Sequence, residues 1–303
     1  MSGGTPHTVS IPLRFALFGR FRVADEDHRT RDVEGHEATE LLAYLLVHRD
    51  RPLWRERLAA ELWEDASTRT SLKHLRHALW KLNTAVPELR SLVCADREWI
   101  ELDTRGIWID IAVFERAFAG VKDRSGFNLD PIEAIRLHDA AALHTSDLLT
   151  GWDAQWCVLE RERLQNVYLL VLDKLMDHAL AHALAEVGLG YGATSLALDP
   201  ARESTHQRLM ELHYTSGNRT AALRQYERCV QRLWDDLGVP PGRRTLALRE
   251  AIEADRGEQV LARLYARPQP CIESTDDRTR HAVTTRPGSH EPAVGRRRST
   301  RHP

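Results

Sequence analysis

Two stretches of helical periodicity, joined by a short polar segment, stand out in residues 52–83. In the first stretch, Leu58, Leu62 and Trp63 fall on one face of a helix. The polar segment ends in Ser67, a residue type that caps helices by accepting a hydrogen bond from a first-turn N–H. In the second stretch, leucines recur at positions 72, 75, 79 and 82. The pattern predicts two helices joined by a tight turn, the second with one narrow apolar stripe.

Short β-strands are predicted before and after this pair of helices. Residues 13–23 are dense in aliphatic and aromatic side chains, and with residues 32–33 they indicate two or three antiparallel strands. Residues 37–48 carry paired leucines at helical spacing and predict a first helix packed on that sheet. Apolar residues on both sides of 95–98 indicate a β-hairpin with Arg97 at its tip.

Helical patterning dominates the region after the hairpin. Helices are predicted over 114–119 and 132–145, followed by a long helical pair within 156–185. Further along, the small Ala222 and the aromatic Tyr226 lie one turn apart, which lets neighbouring helices approach closely, as stacked repeats require.

Three glycines interrupt one of these helical segments, at positions 188, 190 and 192. Each glycine inside a helix costs roughly 1 kcal/mol relative to alanine. A short or frayed helix is therefore expected there.

These patterns predict a mostly α protein with a small α+β N-terminal domain. Residues 1–11 are expected to be a flexible leader, and the helical pattern continues to about residue 266. Residues 267–303 are rich in Arg, Thr, Ser and Pro, with almost no large apolar side chains, and predict a disordered tail.

The side of the second helix opposite its leucines is cationic. At roughly 100° per residue, five polar or basic residues face away from the stripe and two arginines flank them. The five are Thr70, Lys73, His74, His77 and Lys81, and the arginines are Arg69 and Arg76. Residues 66–87 contain no Asp or Glu. Such a helix suits the major groove of DNA, with phosphates on both rims; the alternative is an amphipathic surface helix, which normally mixes both signs of charge.

Arg97 is the candidate contact outside this helix. An arginine at a hairpin tip can enter an adjacent minor groove or bind a phosphate. The alternative is a solvated arginine in a turn.

Several segments resemble the Streptomyces antibiotic regulatory protein family, bacterial activators in which an OmpR-type winged-helix domain precedes a bacterial transcriptional activation domain. The resemblance is carried by RPLWRERLAAELW at 51–63, LRHALWKL at 75–82, WIDI at 108–111, DLLTGW at 147–152, and LDP at 198–200. It implies a winged helix-turn-helix domain at 12–110, followed by a tetratricopeptide-like helical domain at 111–266. Because WIDI resembles the strand-to-helix junction that ends the first domain in the family, a fragment of residues 1–110 is expected to fold alone.

The resemblance also implies a function. Members of the family are sequence-specific DNA-binding activators that usually control a secondary-metabolite gene cluster. They bind direct repeats near a promoter as side-by-side homodimers and contact RNA polymerase. A cytoplasmic, nucleoid-associated protein without a cofactor is therefore expected. The runner-up is a scaffold whose helical repeats bind a peptide or protein partner without DNA.

Net charge does not by itself indicate a nucleic-acid partner. The 303-residue chain has a formal net charge of −2, and residues 1–110 hold 16 Lys and Arg against 18 Asp and Glu. Attraction to DNA must therefore come from a local patch, because neutralised phosphates at the contact drive binding.

Other function classes find little support. No apolar run approaches the ~18 residues of a membrane span, and no signal peptide is expected. The four cysteines are isolated, as in a reduced cytoplasmic protein. His178, His182 and Glu186 share a helix face and suggest a metal-dependent hydrolase as a third interpretation, although polar residues on the outside of a repeat explain the same spacing. Phosphate-loop, nucleophile-elbow and dinucleotide-binding motifs are absent, so an enzyme is not expected.

Overall fold

A four-stranded sheet lies at the start of the folded chain. The computed structural model describes residues 13–257 except positions 26, 28, 32 and 34. The sheet has the order β3-β2-β1-β7, with β1 at Arg14–Ala16, β2 at Arg22–Ala24, β3 at Thr30–Arg31 and β7 at Trp108–Ile109. Strands β1 to β3 are antiparallel, whereas β7 pairs with β1 in parallel. The prediction of two or three antiparallel N-terminal strands is confirmed, and the number is three among the described residues. The expected leader, 1–11, lies outside the described residues.

A second, three-stranded sheet contains the predicted hairpin. Its order is β4-β6-β5, with β4 at Leu53–Trp54, β5 at Val93–Ala95 and β6 at Trp99–Leu102. The hairpin of β5 and β6 confirms the prediction around 95–98. Strand β4 was not predicted, because its two residues were assigned to the start of a helix. Leu53 pairs with the buried Ile100, and this pairing holds the segment extended.

Three helices complete the N-terminal region. They are α1 at His36–Val47, α2 at Arg55–Leu62 and α3 at Thr68–Ala85. Helix α1 confirms the helix predicted over 37–48. The buried side of α3 differs in phase from the predicted stripe, since Leu72 is only half-buried while Ser71 and Ala78 are buried with Leu75, Leu79 and Leu82. Helix α3 packs on both α1 and α2.

Seven further α-helices follow within the described residues: α4 at Asp110–Ala119, α5 at Pro131–Ala142, α6 at Gln155–Ala181, α7 at Ala185–Leu198, α8 at Glu203–Thr215, α9 at Arg219–Leu237 and α10 at Arg243–Glu253. Successive helices from α6 to α10 pack on one another, as in a tetratricopeptide-like stack. The predicted fold class is confirmed. The predicted helical pair within 156–185 is wrong: α6 is one helix of 27 residues that ends only where Ala183 adopts a positive φ of 55°.

Helix α7 is regular despite its three glycines, so the expectation of a frayed helix is also wrong. It runs for 14 residues. A Cβ at Gly188 would lie 2.8 Å from Leu212 Cδ2, and one at Gly192 would lie 2.4 Å from Leu209 Cδ2. Gly188 and Gly192 therefore permit close packing of α7 on α8, which offsets the low helix propensity of the glycines.

One hydrophobic core extends across the predicted domain boundary at residue 110. It runs without interruption from Leu13 in the first strand to Leu175 in α6. The Asp110 side chain accepts hydrogen bonds from the backbone N–H groups of Leu17 (2.7 Å) and Phe18 (2.9 Å). The described residues accordingly belong to one compact unit. The boundaries at 110 and 266 stay predictions, and the predicted tail lies outside the described residues. No described helix is long and apolar enough to span a membrane.

Candidate nucleic-acid interface

The solvent-exposed face of α3 is basic and aromatic. Arg69, Lys73, Arg76 and His77 are all exposed on it. They share this face with Trp80, whose exposed fraction is 63 % and whose indole stacks on the His77 ring at a centroid distance of 5.7 Å. The buried leucines on the opposite side position these residues outward. The predicted cationic face is therefore present, and Trp80 is an addition that the charge pattern did not indicate.

His74 and Lys81 lie on the flank of α3 that faces α1. His74 Nδ1 lies 3.4 Å from one carboxylate oxygen of Glu37, and Lys81 Nζ lies 3.9 Å from the other. The His74 ring also stacks on Trp63 at 5.7 Å. Both side chains are half-buried. The structure thus turns these two predicted contact residues toward a protein carboxylate, because α1 packs beside that flank.

Thr70 is exposed in the first turn of α3, next to the helix cap. The predicted cap position, Ser67, is correct, but its hydroxyl does not accept from a backbone N–H. Instead its Oγ bonds to Thr70 Oγ1 at 2.9 Å. The carbonyl of Ser67 accepts from the N–H groups of Thr70 and Ser71. The Ser67 hydroxyl thus bonds to the side chain of Thr70 in place of the expected backbone N–H.

Arg97 is exposed at the tip of the β5–β6 hairpin, as predicted. The turn is held by Asp96, whose Oδ1 accepts from the N–H groups of Glu98 and Trp99, each at 2.7 Å. These backbone bonds, first from Trp99 and then from Glu98, lower the pKa of Asp96. The hairpin tip is therefore a defined turn that presents an arginine to solvent.

Arg55, at the start of α2, contacts the hairpin and lies near Arg76 of α3. Its guanidinium donates to the Asp96 carbonyl at 3.0 Å, and its N–H donates to the Glu98 carbonyl at 2.8 Å. Burial, followed by the nearby positive charge of Arg76, lowers its pKa. Arg55, Arg76 and Arg97 thus form one cationic region. Only the pairing of β4 with β6 brings Arg55 there, so no local sequence signal could have found it.

Two further tryptophans are exposed on the hairpin sheet. Trp54 in β4 and Trp99 in β6 are direct register partners, with exposed fractions of 49 % and 46 %. Exposed tryptophans therefore occur both on α3, which carries Arg76, and on the hairpin sheet, which carries Arg97.

The alternative metal site does not assemble within the described part of the chain. The rings of His178 and His182 lie 4.3 Å apart, but no group of three His, Cys, Asp or Glu residues forms there that could hold a metal ion. Burial, and then the neighbouring His182, lowers the pKa of His178. Of the cysteines, Cys94 is an exposed free thiol while Cys157 and Cys229 are buried free thiols.

Comparison with known proteins agrees with this architecture. The profile described as bacterial transcriptional activator domain matches residues 109–253. The transcriptional regulatory protein EmbR of Mycobacterium tuberculosis is 29% identical over 232 residues, which cover 70% of this chain and 56% of EmbR, and EmbR of Mycobacterium bovis gives the same values. The chain therefore spans about half the length of the curated relatives it matches.

A solved structure shares the fold. The structure of Mycobacterium tuberculosis EmbR in complex with a low affinity phosphopeptide aligns with a TM-score of 0.71 at 19% identity, over 84% of this chain and 69% of that one. This likeness shows that the two proteins share the fold over most of this chain. Residues 109–253 thus form a bacterial transcriptional activator domain, and the chain is similar in sequence and fold to EmbR, a transcriptional regulatory protein.

Proposed function

We propose that the chain is a sequence-specific DNA-binding activator of transcription. The observation that carries the proposal is the exposed face of α3, where Arg69, Lys73, Arg76 and His77 stand opposite a buried face and no acidic residue occurs along the helix. In this proposal α3 lies in a major groove, where base edges differ between base pairs. The hairpin arginine, Arg97, then contacts the adjacent minor groove or its phosphates.

The resemblance to the Streptomyces antibiotic regulatory protein family supports the finer parts of the proposal. In these finer parts, the chain binds direct repeats near a promoter as a side-by-side homodimer and contacts RNA polymerase. It acts in the cytoplasm and controls a secondary-metabolite gene cluster. The helical domain then supports the dimer and activation. Linking two weak DNA contacts in one dimer raises the apparent affinity without new base contacts.

The direct test is a binding titration of the full chain against the promoters that flank its own gene. Lys73→Ala and Arg76→Ala should each weaken operator binding, and each phosphate that is no longer neutralised should reduce the salt slope by ~1. Lys81→Ala should have a smaller effect, because Lys81 is half-buried near Glu37. Lys122→Ala, which removes an exposed lysine in the turn after α4, is the matched control.

Two results would contradict the proposal. One is wild-type affinity and salt slope in both the Lys73 and the Arg76 variants. The other is failure of the wild-type chain to prefer any flanking promoter over unrelated DNA, which would favour the peptide-binding scaffold. Transcription by purified RNA polymerase from a bound promoter, with and without the chain, tests activation separately.

A further inference from the structure

A groove lies between α4 and α5 and has a volume of about 540 Å³. Small-molecule sites in proteins are commonly roughly 300–1,000 Å³ and largely apolar. The lining of this groove is likewise largely apolar, formed by Trp108, Val113, Ala117, Val121, Ala140 and Leu143. It includes none of the residues of the proposed DNA interface. A ligand bound here would bury apolar surface against two helices and the end of β7.

The charges around the groove favour an anion. Arg116 and Arg136 line it and are exposed, and neither side chain makes a hydrogen bond or ion pair with any described residue. Of the two acids in the lining, Glu133 is already paired with Arg124. Asp139 has no such partner among the described residues. Among the described residues, the groove thus has two arginines without an ion-pair partner and one such carboxylate, so its unpaired charge is positive.

A third cation holds the aromatic wall of the groove in place. The Arg14 guanidinium carbon lies 4.1 Å from the centroid of the Trp108 ring. A cation over an indole face is attracted by the ring quadrupole. This contact fixes the ring orientation and adds positive potential behind the wall.

We propose that this groove binds a small, mostly apolar molecule with a single negative charge, such as an aromatic carboxylate. Arg116 and Arg136 bind the anionic group, since a guanidinium matches a carboxylate with two parallel N–H donors. The apolar lining takes the rest of the molecule. Asp139 weakens the site by repelling the same charge.

The test uses the full chain and 2-naphthoate as the probe, with neutral 2-naphthamide as its matched analogue, both followed by calorimetric titration. The double variant Arg116→Gln/Arg136→Gln should bind naphthoate about fivefold or more weakly, because exposed ion pairs are modest individually. Its affinity for naphthamide should not change. Asp139→Asn should bind naphthoate more tightly than the wild type.

Two variants control for charge and for location. Arg243→Gln/Arg244→Gln removes the same charge from exposed positions of α10 and should leave naphthoate binding unchanged. Ala117→Phe fills the groove and should weaken both probes; Val113→Phe repeats the test if the first variant melts at a lower temperature. Light scattering records the oligomeric state of every variant.

Four results would overturn the proposal. They are no naphthoate binding by the wild type, an equal loss of affinity in the control double variant, and unchanged binding when the groove is filled. The fourth is a change of oligomeric state on filling the groove, which would assign it, with the exposed Ile132 and Ile135 of α5, to a second copy of the chain. None of these results depends on DNA binding.

Discussion

At the scale of single residues, Trp80 is the feature of α3 that charge does not explain. An indole with an exposed fraction of 63 % lies among basic side chains, and its only ring contact in the described chain is with His77. Large aromatic groups are usually buried in a protein or at an interface. On the proposed DNA-facing side, the indole is placed to contact sugar or a thymine methyl group.

Replacing Trp80 by alanine should weaken operator binding by about fivefold or more, since apolar base contacts contribute to discrimination. The melting temperature should stay close to that of the wild type, because the side chain covers little of the core. Binding to operator and to unrelated DNA is measured for each protein.

Trp234→Ala is the matched control, as Trp234 is 66 % exposed in α9, far along the chain from the basic helix. Equal operator affinity in the Trp80 variant and the Trp234 variant would show that Trp80 makes no DNA contact.

At the scale of elements, the glycines of α7 differ in their surroundings. A Cβ at Gly192 would lie 2.4 Å from Leu209 Cδ2 and 3.0 Å from Met176 Cε, so a neighbour must move. A Cβ at Gly190 would meet nothing within 4 Å. The same substitution therefore tests packing at one position and helix propensity alone at the other.

Gly192→Ala should lower the free energy of unfolding by ~1–3 kcal/mol, the usual cost of overpacking a tight site. Gly190→Ala should raise it by up to ~1 kcal/mol, the difference in helix propensity. Urea denaturation of the full chain measures both. A rise of similar size in the two variants would contradict the close packing of α7 on α8.

At the scale of the whole molecule, the winged-helix region is built into the helical domain. Phe18 of the first sheet packs edge-on against Phe114 of α4 at 5.5 Å, and its backbone forms a β-bridge with Leu148. The Asp110 carboxyl lies between these parts, where burial raises its pKa although three backbone N–H bonds act in the opposite direction. Cutting the chain after residue 110 removes the rest of α4 and exposes this core.

A fragment of residues 1–110 should therefore show no cooperative unfolding and no operator binding. A fragment of residues 1–257 should unfold cooperatively and bind operator. This replaces the expectation drawn from the sequence. The cut removes the Asp147 carbonyl, which accepts from the Gly19 N–H. An N–H left without an acceptor in a buried site costs ~1–3 kcal/mol, in addition to the apolar burial that the cut removes. Thermal unfolding by circular dichroism and operator titration compare the two fragments. Cooperative unfolding and operator binding by the 1–110 fragment would contradict the shared core.

The sequence by itself determined the features that depend on near neighbours in the chain. Periodicity located α1 and α3, the alternating segments located the hairpin with Arg97 at its tip, and the missing acids marked a basic side of α3. These signals are local, because apolar residues at helical or strand spacing report which side of an element is buried.

Only the tertiary structure decided what depends on distant segments. The packing of α1 turned His74 and Lys81 toward Glu37, and strand pairing brought Arg55 to the hairpin. Close packing on α8 made a regular helix from the glycine-rich α7. Periodicity shows which side of a helix faces the core. It does not show which element packs beside the helix, because that packing depends on contacts between residues far apart in the chain.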